Sequence, residues 1–126
     1  MNWNIDDSLP IWPQLCSRLS ACIASGRFPP GSRLPSVREL AADAGVNPNT
    51  MQRALTELEA RGLIITNRTA GRNVSTDHTV IEAVRQEEAR HKIEIFLKSM
   101  EELGYYGNEI TSILQTVLRE QRGEKD

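Results

Sequence analysis

Within the first 76 residues of this 126-residue chain every formal cation is an arginine, at positions 18, 27, 33, 38, 53, 61, 68 and 72. A guanidinium is a planar fork of donors that grips a phosphate or a guanine edge at two points, where a lysine ammonium acts as a point charge. Asn49 and Gln52 carry carboxamides, the group that pairs with N6 and N7 of adenine, and Arg53 beside them can hold a phosphate. Arg68 and Arg72 stand in the segment Asn67-Arg68-Thr69-Ala70-Gly71-Arg72-Asn73. The chemistry on offer is hydrogen bonding to a polyanion and to base edges. The plain alternative at each position is a solvated polar side chain or a helix cap.

The overall charge argues the other way. A formal net charge of −2 is unusual for a chain that binds nucleic acid. Dividing the chain removes much of the objection. Residues 1–76 hold eight basic and six acidic side chains, whereas residues 77–126 hold seven basic and eleven acidic ones. The acidity sits mostly in the second part.

Other chemistries find little support. His78 and His91 are isolated, with no zinc-type spacing, glycine-rich phosphate loop or nucleophile elbow around them, so neither catalysis, a metal nor a cofactor is expected. Cys16 and Cys22 are six residues apart in a segment that reads as helix, about 240° apart around its axis, and read as core fillers rather than a disulfide. No run approaches the roughly 18 apolar residues of a membrane span, and the N-terminus lacks the pattern of a signal peptide. A cytoplasmic protein without membrane association is expected. A chain of this length buries roughly two-thirds of its unfolded surface, too little core for a large enzyme fold.

The elements that would position these groups can be read in order. Leu9 to Ser25 has the apolar spacing of an amphipathic helix, with Ser8 or the Asp6-Asp7 pair as its cap and Gly26 as its stop. Arg27 to Arg33 is too rich in Pro and Gly for regular structure. Ser36 and Glu39 fit a capping box for a short helix from Val37 to about Ala44, which Gly45 ends. Asn47 caps a second helix with Pro48 at its first position, and Val46 with Met51 forms a hydrophobic staple. Two short helices joined by a glycine turn, with small and apolar residues where they must touch, make a helix-turn-helix. The β-rich Leu63 to Thr66, the basic loop and a second strand Val74 to Thr76 follow at once, giving a wing.

The run Pro30-Gly31-Ser32-Arg33-Leu34-Pro35-Ser36-Val37-Arg38-Glu39-Leu40-Ala41, with Pro10-Ile11, Gly26, Val46-Asn47-Pro48-Asn49-Thr50, Arg53-Ala54-Leu55 and Gly62-Leu63-Ile64, resembles the DNA-binding domain of GntR-family bacterial transcription regulators. The resemblance covers about residues 8 to 76. The Val-Asn-Pro-Asn-Thr form and the short tail are similar to the YtrA-like subfamily, whose members lack a large effector domain and dimerise through the tail. It implies a mainly α fold with a small β-hairpin, an N-terminal winged helix-turn-helix (1–76) and a two-helix dimerisation tail (77–126). It implies that Arg38 reaches the DNA, that Asn47, Pro48, Asn49 and Thr50 open the recognition helix, and that Gly71 lies at the wing tip. Gln52 stands where relatives often carry an arginine, and the wing tip departs from the Gly-Lys-Gly type, so the operator is not implied. Relatives often repress operons for ABC-type transporters.

The tail fits a dimer on its own terms. Asp77 or Thr79 caps a helix to about Leu103, with Ile81, Val84, Ala89, Ile93, Phe96, Met100 and Leu103 near one face. After a break at Gly104 to Gly107, a last helix from Asn108 to Gln121 carries Ile110, Ile113, Leu114, Val117 and Leu118 on one stripe, and Arg122 to Asp126 reads as a frayed end. Two such stripes need another surface, most economically a second copy. The partners expected are double-stranded DNA and a homodimeric copy. Any small-molecule effector would bind near Tyr105 and Tyr106 or Trp3 and Trp12, which are more simply core or interface residues. The competing expectation is a winged-helix adaptor whose C-terminal helices bind a different protein.

Overall fold

A computed structural model describes residues 1–69 and 71–123. Its elements are α1 (Ile11–Ala24), α2 (Val37–Ala44), α3 (Pro48–Ala60), β1 (Ile64–Asn67), β2 (Gly71–Val74), α4 (His78–Glu102) and α5 (Gly107–Gln121). The chain divides into two compact units, 1–88 and 89–126. Of the end read as frayed, 124–126 lies outside the described residues.

In the first unit α3 packs on both α1 and α2 and leads into the hairpin. Leu15, Leu19, Met51, Ala54, Leu55, Leu58 and Leu63 are wholly buried. Two of the short local signals are seen as side-chain hydrogen bonds at the helix starts, the capping box through its serine half. Ser36 Oγ accepts the Glu39 N–H at the start of α2 (3.2 Å), and Asn47 Oδ1 accepts the Asn49 N–H at the start of α3 (2.8 Å). Between them Gly45 turns left-handed at φ +71°, where a side chain would be strained. The Val46 N–H reaches Ala41 O and the Gly45 N–H reaches Ala42 O, the paired bonds of a Schellman end that satisfy carbonyls left over by α2.

Three local expectations differ from the structure. Helix α1 starts at Ile11, with Pro10 in the N-cap position and no side-chain cap. Ser8 instead donates to Asp6 Oδ1 in a turn of its own, and Gln14 Nε2 donates to the Asp6 and Pro10 carbonyls. Strand β2 is Gly71–Val74 rather than Val74 to Thr76, with the register Ile64 to Val74 through Asn67 to Gly71. Arg72 and Asn73 therefore belong to the ladder, which their polarity hid. The Pro- and Gly-rich segment after α1 is also partly ordered as a sheet edge. The Gly31 N–H bonds Val74 O, the Val74 N–H bonds Ser32 O, the Leu34 N–H bonds Arg72 O, and Arg33 bridges Asn73.

The compact unit extends past residue 76 because the first turns of α4 belong to its core. Asp77 Oδ1 accepts the Thr79 N–H, and Ile81 and Val84 are buried in the core cluster. The N-terminal strap closes another side. Trp3 is buried, its indole N–H donates to Asp43 Oδ2 (2.8 Å), and its carbonyl accepts from Arg18 Nε (2.7 Å). The Trp3 bond is the main reason the Asp43 carboxyl is held below its usual range. Both cysteines are buried free thiols, and burial pushes Cys16 up to about 11. They act as small core residues.

In the second unit the apolar side chains are largely uncovered. Among the described residues Ile93, Phe96, Leu103, Ile113, Leu114, Val117 and Leu118 are exposed, along with Ile95 and Leu97, and Met100 is half-buried. Ile110 is buried, so it is already covered within the chain. No helix is long and apolar enough to cross a membrane among the described residues.

Candidate nucleic-acid interface

Helix α3 is built to present one face. Its buried residues Met51, Ala54, Leu55 and Leu58 and its exposed residues Asn49, Gln52, Arg53 and Thr56 follow the same helical spacing on opposite sides. The apolar stripe fixes the rotation of the helix in the core. The polar stripe is thereby aimed at solvent, starting from an N-terminus where free N–H groups and the helix dipole favour a phosphate.

Each side chain is placed as follows. Asn47 is exposed and caps the helix through Oδ1, which leaves its NH2 group outward. Pro48 occupies the first helical position and Thr50 is half-buried. Asn49 is exposed with its carboxamide open. Gln52 donates from Nε2 to Thr56 Oγ1 (3.3 Å), while Thr56 Oγ1 donates to the Gln52 carbonyl (2.9 Å). This pair holds the Gln52 amide along the stripe and brings in Thr56, a position that sequence spacing did not single out. Arg53 lies over the Trp12 ring at 4.5 Å from its centroid. That cation–π contact ties α3 to α1 and steadies a guanidinium that the sequence suggests as a free phosphate ligand.

Arg38 is exposed in the first turn of α2. In the wing, Arg68 is exposed beyond β1, and Gly71 opens β2 at φ +72°, a left-handed conformation that glycine enters without strain. The tip residue Ala70 lies outside the described residues. Arg72 differs from the expected solvent-facing wing residue. It is half-buried and its Nε is buried without a hydrogen-bond partner. It stands opposite Leu34 and on the same side of the ladder as Val74, both buried. The structure thus gathers Arg38, Gly71 and Arg72 around one open depression, with Arg33 as a further member. Sequence reading counts Arg33 among the arginines but assigns it no place in the site, because it sits in a segment with no periodicity, and its bridge to Asn73 brings it to the wing.

Comparison with known proteins agrees with this arrangement. The family described as "Bacterial regulatory proteins, gntR family" matches residues 13–74, which run from α1 to the end of β2. The chain is 32% identical over 116 residues to an uncharacterised HTH-type transcriptional regulator, YhcF, of Bacillus subtilis, spanning 92% of this chain and 96% of that one. It is 43% identical over 68 residues to the HTH-type transcriptional repressor YtrA of the same organism, covering 54% and 52% of the two chains. Among solved structures, a GntR family transcriptional regulator from Listeria monocytogenes superposes with a TM-score of 0.79 at 36% identity, covering 89% of this chain and 98% of that chain. The DNA-binding domain of AraR in complex with operator ORX1 gives 0.51 at 25% identity, covering 60% and 92%. The wing, the outward stripe of α3 and the near full-length relatives converge: the chain belongs to the GntR family of DNA-binding bacterial transcription regulators, with relatives that include YtrA.

Proposed function

We propose that the protein is a homodimeric repressor that reads an inverted repeat through α3 and the wing, with 77–126 serving as the dimerisation tail. One observation carries the DNA reading: α3 buries its whole apolar stripe and turns Asn49, Gln52, Arg53 and Thr56 outward, the presentation that entry into a major groove requires. Asn49 and Gln52 then read base edges. Asn47, Thr50 and Arg53 hold the helix on the backbone, and Arg38, Arg68 and Arg72 grip phosphates beside it. The exposed apolar residues of α4 and α5 supply the second requirement, since one short helix reads too few base pairs to be selective in a genome. Such a protein works in the cytoplasm with the chromosome. Its regulated genes are of the transporter-operon class that the YtrA resemblance implies.

Arg38→Ala tests the assignment. The side chain is exposed and is not part of the core, so thermal stability should be unchanged while affinity for a duplex in a gel-shift assay falls about 10-fold. Undiminished binding by the variant removes Arg38 from the interface.

A further inference from the structure

We propose that Arg33 is a phosphate ligand of the bound duplex, seating one phosphodiester together with Arg38 in the depression between the first turn of α2 and the wing. The proposal rests on the DNA-binding reading and adds to it a residue outside the two motifs that suggest it. The backbone on either side of Arg33 is fixed by pairing with β2, through Gly31, Ser32 and Leu34, and Arg33 itself bridges Asn73. Its side chain is therefore carried on a sheet edge rather than on a free loop. The guanidinium crosses Gly71: a Cβ at that glycine would lie 3.5 Å from both Nε and Nη2. It reaches the depression lined by Ser36, Arg38, Glu39 and Arg72.

Three guanidiniums thus meet one carboxylate. Among the described residues Arg33 and Arg38 are exposed and enter no ion pair, and the buried Arg72 Nε has no acceptor. Buried donors normally find a partner, and an anionic oxygen arriving here would meet two open cations and the free N–H groups of α2. The depression is open and lined by residues of α2 and of the wing, so a backbone phosphate beside the helix that enters the groove can reach it.

The test is the salt dependence of binding by the full chain to a labelled duplex of about 30 bp, taken from the pool that the wild type enriches from random sequence. Each lost phosphate contact lowers the slope of log affinity against log salt by about 0.9. Arg33→Ala should reduce the slope by that amount per protomer, weaken enriched and scrambled duplexes equally, and leave the melting temperature unchanged, while Arg33→Lys keeps most of the slope. An unchanged slope in a folded Arg33→Ala variant overturns the proposal and leaves the DNA-binding reading intact. A wild type that binds no duplex at all overturns both. If inorganic phosphate raises the melting temperature of the wild type but not of Arg33→Ala while the DNA slope stays the same, the site takes a free anion and the proposal fails.

Discussion

Replacing Leu114 and Leu118 together by glutamate is expected to convert the protein to a 14.1 kDa monomer in size-exclusion chromatography with light scattering and to lower its affinity for an inverted repeat by about two to four orders of magnitude. The two leucines are one helical turn apart on α5, 41% and 46% exposed, and Ile113 and Val117 beside them are 36% and 41% exposed. A monomeric soluble protein rarely leaves such a row uncovered. Burying one leucine contributes about 1.5–3 kcal/mol, whereas a carboxylate placed in the same seam must be desolvated without a partner. In the proposed dimer, binding of the second half-site would become intermolecular once the tail no longer joined two copies, so the expected effect on DNA far exceeds that of any single contact. A double variant that keeps twice the monomer mass would show that another surface joins the copies.

Leu55→Ala is expected to destabilise the first unit by about 2–5 kcal/mol in urea denaturation, a large part of the 5–15 kcal/mol that holds a typical domain folded. Leu55 is wholly buried in α3, the helix that contacts both α1 and α2, and the truncated side chain leaves a hole that three helices would have to close. Its effect on DNA should act only through the folded fraction. At temperatures well below its transition the variant should bind a duplex as the wild type does. A loss of less than about 1 kcal/mol would mean that α3 is held less tightly than its burial indicates.

The two variants separate what the tail does from what the winged unit does. The same division explains which parts of the chain were legible in its residues. Ser36, Gly45, Asn47 and Pro48 act on backbone groups within a few positions of themselves, so the helix-turn-helix could be read from spacing and formed as read. The wing was readable in kind but not in register. Arg72 and Asn73 have the composition of a loop, yet they pair with Thr66 and Ile65 of β1 across the hairpin, and Ser32, Arg33 and Leu34 add a further edge from some forty residues away. No local pattern carries that last pairing. At α1 the expected caps do not form; the Gln14 amide instead donates to the Asp6 and Pro10 carbonyls, a contact that the apolar spacing of the helix does not show. Ile81 and Val84 were correctly placed on an apolar face, but the face could not reveal that they join the core of the first unit.

The interface shows the same limit. The outward stripe of α3 follows from helical spacing, and Asn49 and Gln52 were visible in it. The engagement of Arg53 with Trp12 and the approach of Arg33 to Gly71 depend on how separate elements meet. The net charge of the whole chain was a poor guide because the acidic excess is carried by residues 77–126, whereas residues 1–76 hold more basic than acidic side chains.

Selection of duplexes from a random library by the full chain tests the central claim most directly. The account predicts enrichment of two half-sites in inverted orientation, their centres separated by about one helical turn of DNA or a multiple of it, with enrichment lost at high salt. Recovery of no preferred sequence at low salt, or of a single half-site by a protein that is dimeric in the same buffer, would contradict it.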